Sequence, residues 1–180
     1  MFASGKKKEE IIIADVVYMH TAAKWHACLE AYKKDTTTVF IAWFEETQQQ
    51  VQGFFEQQNV IAADVILYRQ AVMHYVKTRQ LIFVEHFPLR EKEDTLYSSL
   101  NFKEAKILSS LEDPLFEYFG GSRIIEVMKK MGLQENEAIQ HPMVTMALKN
   151  AQKKLAKKIL IEQPARSQAE WFKRNVGSEK

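Results

Sequence analysis

A glutamate and a histidine, Glu85 and His86, directly follow the apolar run LIFV at 81–84. Such a run is typical of a buried strand, and open parallel sheets bind their ligands beyond the carboxyl ends of their strands. A histidine there could act as a general base, because its ordinary pKa lies near neutrality. The alternative is that His86 ends the strand and packs against Phe87 and Pro88. The residues alone leave both interpretations open.

Motifs for phosphate, metal or nucleophile chemistry do not occur in the chain. A P-loop requires GxxxxGK[ST] between a strand and a helix, and this pattern is missing. Gly120 and Gly121 could hold an anion at a helix N-terminus, but they suit a helix cap equally well, with Ser122 as the capping residue. The histidines form no HxxxH or HExxH pair, and the single cysteine, Cys28, is expected in the core. We therefore predict no cofactor, no metal and no assigned catalytic residue.

Lysines are concentrated in one helical pattern near the C-terminus. Lys149, Lys153 and Lys157 recur every four residues, with Lys154 and Lys158 beside them. An apolar stripe makes this helix amphipathic: Val144, Leu148, Ala151, Leu155 and Ile159. The basic face could contact nucleic acid or an acidic protein surface. A formal net charge of only +2, without an aromatic platform, favours a solvated lysine face over nucleic-acid binding.

A last predicted helix, over 167–176, carries the adjacent aromatic residues Trp171 and Phe172. These rings could dock on the body of the protein or bind another chain, and the sequence does not decide between the two. The candidate interaction face predicted from the sequence has five residues: Lys149, Lys153, Lys157, Trp171 and Phe172.

The elements that must position these residues follow an alternating pattern. Five short apolar runs are predicted as strands: 11–18, 38–44, 64–68, 80–85 and 105–109. Helical patterns lie between them, at 21–34, 45–58, 70–77 and 90–100. This alternation predicts an α/β fold with a mostly parallel sheet of about five strands and helices on both faces. No strand signal remains after Pro114, where helices are predicted over 122–131, 142–162 and 167–176.

The predicted organisation has three parts. Residues 1–10 are interpreted as a mobile lead, 11–120 as the α/β domain and 121–180 as a helical extension. The 180 residues are 46% hydrophobic and 27% charged, which is typical of a globular protein. One cysteine, no signal-peptide core and no apolar stretch near the ~20 residues of a membrane span together indicate a cytoplasmic protein.

The segment 110–154 reads SLEDPLFEYFGGSRIIEVMKKMGLQENEAIQHPMVTMALKNAQKK. Its pieces SLEDPL, FGGSRI, MKKMG, EAIQHPMVT and NAQKK resemble, in order and spacing, the part of the SecA preprotein translocase motors that leaves the second nucleotide-binding domain and enters the helical scaffold. Weaker similarity extends upstream, to DVVY at 15–18, TVFIAWFEET at 38–47 and LIFVEHFPLREKEDTL at 81–96. The resemblance implies a RecA-like, P-loop NTPase-like sheet.

Physical patterning gives the same segment a role in packing. Apolar residues at helical spacing are expected to close the open end of the sheet. These residues are Leu111, Leu115, Phe116 and Phe119 in one helical turn, and Ile124, Ile125, Met128 and Met131 in the next helix.

Departures from the family determine which functions the resemblance implies. The first motor domain, with its P-loop and its Mg²⁺-binding acidic motif, is absent from this sequence. The run between Tyr68 and Leu81 contains no Arg-Gly-Thr-Asp-like segment, and the family's paired arginines are missing between Leu96 and Ser110. Phosphoryl transfer needs a positioned phosphate, a metal and stabilising cations, so the family's catalytic residues are not carried over.

The leading hypothesis is therefore a non-catalytic, SecA-like accessory or scaffold protein. It would act by contact with a protein partner, either a translocation motor or a second copy of itself. One alternative is a small enzyme or nucleotide-binding protein that uses the sheet edge near Glu85 and His86. Another is nucleic-acid binding through the Lys149–Lys158 helix.

Overall fold

Strands with apolar residues on both faces form the centre of the molecule, because a parallel sheet is covered by helices on both sides. The computed structural model describes residues 11–177, so the predicted lead at 1–10 lies outside the described residues. Six strands form one sheet: β1 (Ile12–Tyr18), β2 (Val39–Ala42), β3 (Asp64–Leu67), β4 (Leu81–Phe83), β5 (Glu104–Ser110) and β6 (Ala138–Ile139). Their order is β3-β2-β4-β5-β1-β6, and all neighbours are parallel except β1 and β6.

Eight helices accompany the sheet in the described residues: α1 (Thr21–Lys34), α2 (Glu45–Gln57), α3 (Met73–Val76), α4 (Arg90–Leu100), α5 (Pro114–Tyr118), α6 (Gly121–Lys130), α7 (Pro142–Ala156) and α8 (Gln168–Asn175). Helices on both faces of a mostly parallel sheet confirm the predicted α/β, RecA-like fold class. The division into 11–120 and 121–180 stays a prediction.

Two hydrophobic clusters lie on opposite faces of the sheet, and the alternation of side chains along β2 serves both. Phe40 packs in the cluster under α1 and α2, which also contains the fully buried Cys28. Ile41 packs in the other cluster, with Tyr97 of α4 and Trp171 of α8. The helix near the C-terminus therefore contributes to the main core.

Several sequence predictions are wrong in detail. A strand does occur after Pro114, because β6 pairs antiparallel with the end of β1. Instead of one helix over 70–77, the chain forms a 3₁₀ turn at Tyr68–Gln70 and the short α3. The predicted helix over 142–162 ends at Ala156. Ser122 does not cap α6: the cap is Gly120, and the Ser122 hydroxyl donates to the Glu117 carboxylate at 2.8 Å.

Two helical glycines have opposite environments and predict opposite effects of substitution by alanine. Gly121 begins α6 against β5, and an added Cβ would overlap the backbone carbonyl oxygen of Leu111. We expect Gly121→Ala to lower the free energy of unfolding by about 1–3 kcal/mol. Gly53 lies inside α2 with open space around it, so Gly53→Ala is expected to raise stability by about 0.5–1 kcal/mol. Urea unfolding of both variants tests the pair, and effects of the same sign would contradict it.

Candidate functional site

Glu85 lies just beyond β4, at the carboxyl end of the sheet, and its side chain is buried. Its Oε1 accepts hydrogen bonds from the backbone N–H groups of Trp43 and Phe44, both at 3.0 Å, and its Oε2 accepts one from Thr47 Oγ1 at 2.8 Å. Burial raises the pKa of Glu85 to about 7, although the charge of Lys24 and the bond from Thr47 act in the opposite direction. Because Phe44 immediately precedes α2, this carboxylate occupies the positive end of that helix.

A second carboxylate engages the start of α1. The backbone N–H of Thr21 donates to Glu112 Oε2 at 2.8 Å. Deeper in the same region, the buried Lys24 ammonium donates to Asp113 Oδ1 at 2.6 Å. Helix N-termini at this edge of a parallel sheet are where an open α/β fold binds phosphate. Here the chain's own carboxylates engage both helix starts and pair the buried lysine.

His86 lies inside the protein between two carboxylates from different elements. Its Nδ1 is 2.8 Å from Glu93 Oε1 of α4, in a hydrogen bond. Its Nε2 is 3.1 Å from Asp15 Oδ1 of β1, a close ion contact without hydrogen-bond geometry. With 2% of its surface exposed, His86 cannot reach a substrate in this arrangement.

The electrostatics of the cluster keep His86 charged. Burial alone would lower the pKa of the imidazole, but Glu93 and Asp15 outweigh it and raise the pKa to about 9. Burial would also raise the pKa of Asp15, yet the adjacent imidazolium of His86 holds it below its usual value. An imidazolium flanked by two carboxylates is a structural ion cluster, since a general base must be neutral at working pH.

Two glutamines from the C-terminal helices complete this cluster. Gln152 of α7 donates through Nε2 to the Phe87 carbonyl at 2.7 Å and to Glu93 Oε2 at 2.9 Å. Gln168 of α8 donates to the His86 carbonyl at 2.8 Å. Both glutamines are buried, so α7 and α8 fix the loop that follows β4. Sequence reasoning missed these residues, because polar positions far apart in sequence give no local signal.

The three predicted lysines recur at four-residue spacing along one side of α7. Lys149 and Lys153 both border the crevice between α4 and α7, where Arg90 and Asp94 also lie. Lys157 directly follows the last residue of α7 and keeps a helical backbone conformation. Their role as an interaction face stays a prediction.

The two aromatic candidates have different environments. Trp171 is fully buried, its ring centroid is 6.0 Å from that of Phe87, and its Nε1 donates to Glu162 at 2.9 Å. Phe172 is partly exposed and stacks on Tyr118 at 5.1 Å. Trp171 therefore offers no surface to a partner, whereas one side of Phe172 is accessible.

A cavity of about 370 Å³ opens between α5, α6 and α7, and its lining is almost entirely apolar. We call it the apolar groove. Its lining residues are Val17, Leu111, Leu115, Phe116, Phe119, Ile124, Met128, Ile139, Val144, Ala147, Leu148 and Ala151. All but Val17 lie within 110–154, the segment that resembles SecA.

Large apolar side chains extend this groove onto the surface of α6. Phe119 and Ile124 are 40% and 44% exposed, and Val127 and Met131 are 55% and 72% exposed. Sequence reasoning assigned this region to packing, and the inner residues do pack on the sheet end. The four exposed side chains present more apolar surface than isolated surface residues do, and contiguous exposed apolar patches are typical of protein-binding surfaces.

The cluster around His86 has the residue types of a metal site but not the geometry of one. Asp15 and Glu93 contact opposite nitrogens of His86, so the three groups do not converge on a point. Among the residues that the structure describes, no group of three or more histidine, cysteine or acidic side chains is placed to hold a metal ion. Within 11–177, no helix is both long and apolar enough to cross a membrane.

No protein-family model matches this chain. Part of it is similar to known proteins: it is 45% identical over 51 residues to protein translocase subunit SecA 1 of Alkaliphilus metalliredigens, which is 28% of this chain and 6% of that protein. It is 54% and 50% identical over 46 residues to protein translocase subunit SecA of Buchnera aphidicola and of Acidithiobacillus ferrooxidans, in each case 26% of this chain and 5% of the relative. The chain thus covers only a small fraction of these relatives' length. The comparisons confirm a SecA-related segment.

Proposed function

We propose that this chain is a non-catalytic, SecA-related protein that acts by protein–protein contact in protein translocation, with the apolar groove as its contact surface. The observation that carries the proposal is a coincidence of position. Eleven of the twelve residues that line the groove lie in 110–154, the segment that resembles SecA. The part of the chain related to a translocase subunit is therefore also the part with an open apolar surface.

The carboxyl end of the sheet supports the non-catalytic part of the proposal. Glu85 and Glu112 accept the backbone N–H groups at the starts of α2 and α1, and Asp113 pairs with Lys24. A phosphate entering there would have to displace carboxylates that are part of the fold, and would meet their repulsion. The cationic His86 has both ring nitrogens beside carboxylates, so the geometry gives the alternative ligand site at Glu85 and His86 little support.

The experiment measures capture of a defined protein. The tagged full chain is incubated with extract of the source cell, and the SecA motor recovered is quantified with an antibody. The double variant Val127→Asp/Met131→Asp places two charges on the exposed apolar stripe that adjoins the groove. We expect it to reduce recovery at least tenfold, since anchor residues of an interface commonly contribute about 1–2 kcal/mol or more each.

A control variant places the same kind of charge on an exposed apolar residue outside the groove. Met146 is 61% exposed on α7, and it lies on a different side of that helix from Val144, Ala147 and Ala151. Met146→Asp should leave recovery unchanged. ATP hydrolysis by the purified chain is measured in parallel. Hydrolysis by the chain alone, or equal recovery with the groove variant, would contradict the proposal.

A further inference from the structure

The charges that border the apolar groove are predominantly positive. Between 121 and 158 the chain has eight lysine or arginine residues and three glutamates, whereas the net charge of the whole chain is +2. Part of this excess lies elsewhere, because Lys149 and Lys153 border the crevice between α4 and α7. In addition, Lys129 pairs with Glu135. The basic residues that concern the groove are Arg123, Lys130 and Lys154. They bear on what the groove can bind, because a rim of one sign selects a partner of the other sign.

On α6, basic side chains adjoin the exposed apolar stripe. Arg123, Val127 and Lys130 are spaced i, i+4 and i+7, so they lie on one side of the helix. Ile124, which lines the groove, and the exposed Met131, which caps α6, lie on the neighbouring side. Arg123 and Lys130 are both exposed. The outer wall is thus apolar toward the groove and basic beyond it.

On α7, the opposite wall has the same arrangement. Ala147 lines the groove, and Lys154 lies seven residues later, two turns along the same side of the helix. Lys154 is exposed.

One acidic side chain, Glu117, lies near the mouth, where it accepts the Ser122 hydroxyl at 2.8 Å. Glu126 is also exposed on α6, beside Arg123 and Lys130 but on the side turned away from Ile124 and Met128. Three basic groups therefore stand against two acidic groups, of which only Glu117 lies at the mouth.

The dimensions of the stripe suit a helix. Ile124 and Met131 are seven residues apart on α6, which corresponds to about 10 Å, or two helical turns. An amphipathic helix that binds in an apolar groove presents anchors at i, i+3 or i+4, and i+7, over the same two turns. A second copy of this chain would bring its own basic rim, so charge disfavours self-association at this surface.

From this geometry we infer that the groove binds an amphipathic helix of a partner protein, with two to three apolar anchors flanked by acidic side chains. The inference rests on the proposed function, since it names the chemistry of the partner for the same surface. The apolar anchors fill the groove, and the acidic flanks pair with Arg123, Lys130 and Lys154.

Two fluorescent peptides with the same apolar residues test the charge requirement. One is a helical peptide with leucine at i, i+4 and i+7 and glutamate at the flanking positions, and the other has lysine in place of each glutamate. Binding to the full chain is measured by fluorescence anisotropy at moderate salt. We expect the glutamate peptide to bind at least tenfold more tightly, because several exposed charge pairs contribute together.

Charge reversal in the protein gives a second readout, one that a misfolded variant could not produce. Lys130→Glu/Lys154→Glu should weaken the glutamate peptide about tenfold and strengthen the lysine peptide. Lys103→Glu, at the opposite end of the sheet, should change neither affinity. Equal affinity for both peptides, no saturable binding, or affinities unaffected by the double reversal would overturn the inference. It would also be overturned if sedimentation showed that the chain forms a dimer through the groove.

The two proposals fail separately. If the motor protein is captured through Val127 and Met131 but the peptides are not distinguished, only the charge of the partner is wrong. If the glutamate peptide binds as expected but no motor protein is recovered, the groove has the inferred chemistry and the link to translocation is wrong.

Discussion

Replacing Glu93 with alanine is expected to lower the free energy of unfolding by about 3–5 kcal/mol, because it removes one partner of a buried ion cluster. Glu93 is fully buried and accepts from four groups: His86 Nδ1 at 2.8 Å, Phe87 N at 2.9 Å, Gln152 Nε2 at 2.9 Å and Arg90 at 3.2 Å. Each loses an acceptor in the variant, and buried donors without acceptors are costly. Chemical denaturation followed by far-UV circular dichroism measures the loss.

Two further variants separate this network from general effects on α4. Glu91 lies on the same helix and is exposed, so Glu91→Ala should change stability by less than about 0.5 kcal/mol. Glu93→Gln keeps the shape of the side chain but removes its charge, and its loss of stability should lie between those of Glu91→Ala and Glu93→Ala. A Glu93→Ala variant as stable as Glu91→Ala would show that the cluster does not hold the fold together.

The same cluster makes stability depend on pH with a definite sign. The pKa of His86 is about 9 in the folded protein and 6.5 for an ordinary histidine, so the folded state retains the proton longer. Its contribution is complete below pH 6.5 and is lost as the pH rises through 9, a decrease of about 3 kcal/mol. In Glu93→Ala this decrease should shrink, because the main source of the raised pKa is gone. If the free energy of unfolding fell equally with pH in the unmodified protein and in Glu93→Ala, Glu93 would not be what keeps His86 charged.

Trp171→Ala is expected to lower the free energy of unfolding by about 3–5 kcal/mol, as truncation of a large buried aromatic residue does. Trp171 has no exposed surface, packs in the main core with Phe87 and donates to Glu162 at 2.9 Å. Alanine would leave a cavity beneath α8 and an acceptor without its donor. Thermal or urea unfolding monitored by circular dichroism measures the effect.

Control variants on α8 give the prediction its specificity. Lys173 lies two residues later, on an exposed side of α8, so Lys173→Ala should be close to neutral. Trp171→Phe retains most of the buried area and should lose less stability than Trp171→Ala. If Trp171→Ala instead left stability unchanged and abolished binding to a partner, α8 would be an interface element and not part of the core.

The parallel sheet could be predicted because its strands carry a local signal. TVFIAWF gives β2 as a continuous apolar run, and all four residues of that strand are buried. The two-residue β6 has no periodicity to detect, since its strand character comes only from pairing with Val17 and Tyr18. The early end of α7 was likewise missed, because lysine and leucine continue beyond Ala156 without a breaking residue.

The site was less predictable than the fold, for a physical reason. Glu85 and His86 were found from their position after a strand, but their partners come from other elements. Asp15 is on β1, 71 positions earlier in the chain, and meets His86 only because β1 and β4 both flank β5. The strand order brings these charged residues together into a structural cluster. In the sequence, Glu85 and His86 look the same as residues of a reactive site.

The position of β1 determines when the sheet can be completed. Although β1 is the first strand of the described chain, it lies between β5 and β6, and Val17 is paired with both Ser109 and Ile139. During synthesis, one edge of β1 therefore stays unpaired until Ser109, 92 positions after Val17, has been made, and the other until Ile139, 122 positions after it. Such distant pairing slows folding and exposes strand edges in the meantime. β1 is thus synthesised well before either of its partner strands, and its edges are open to aggregation until both have been made.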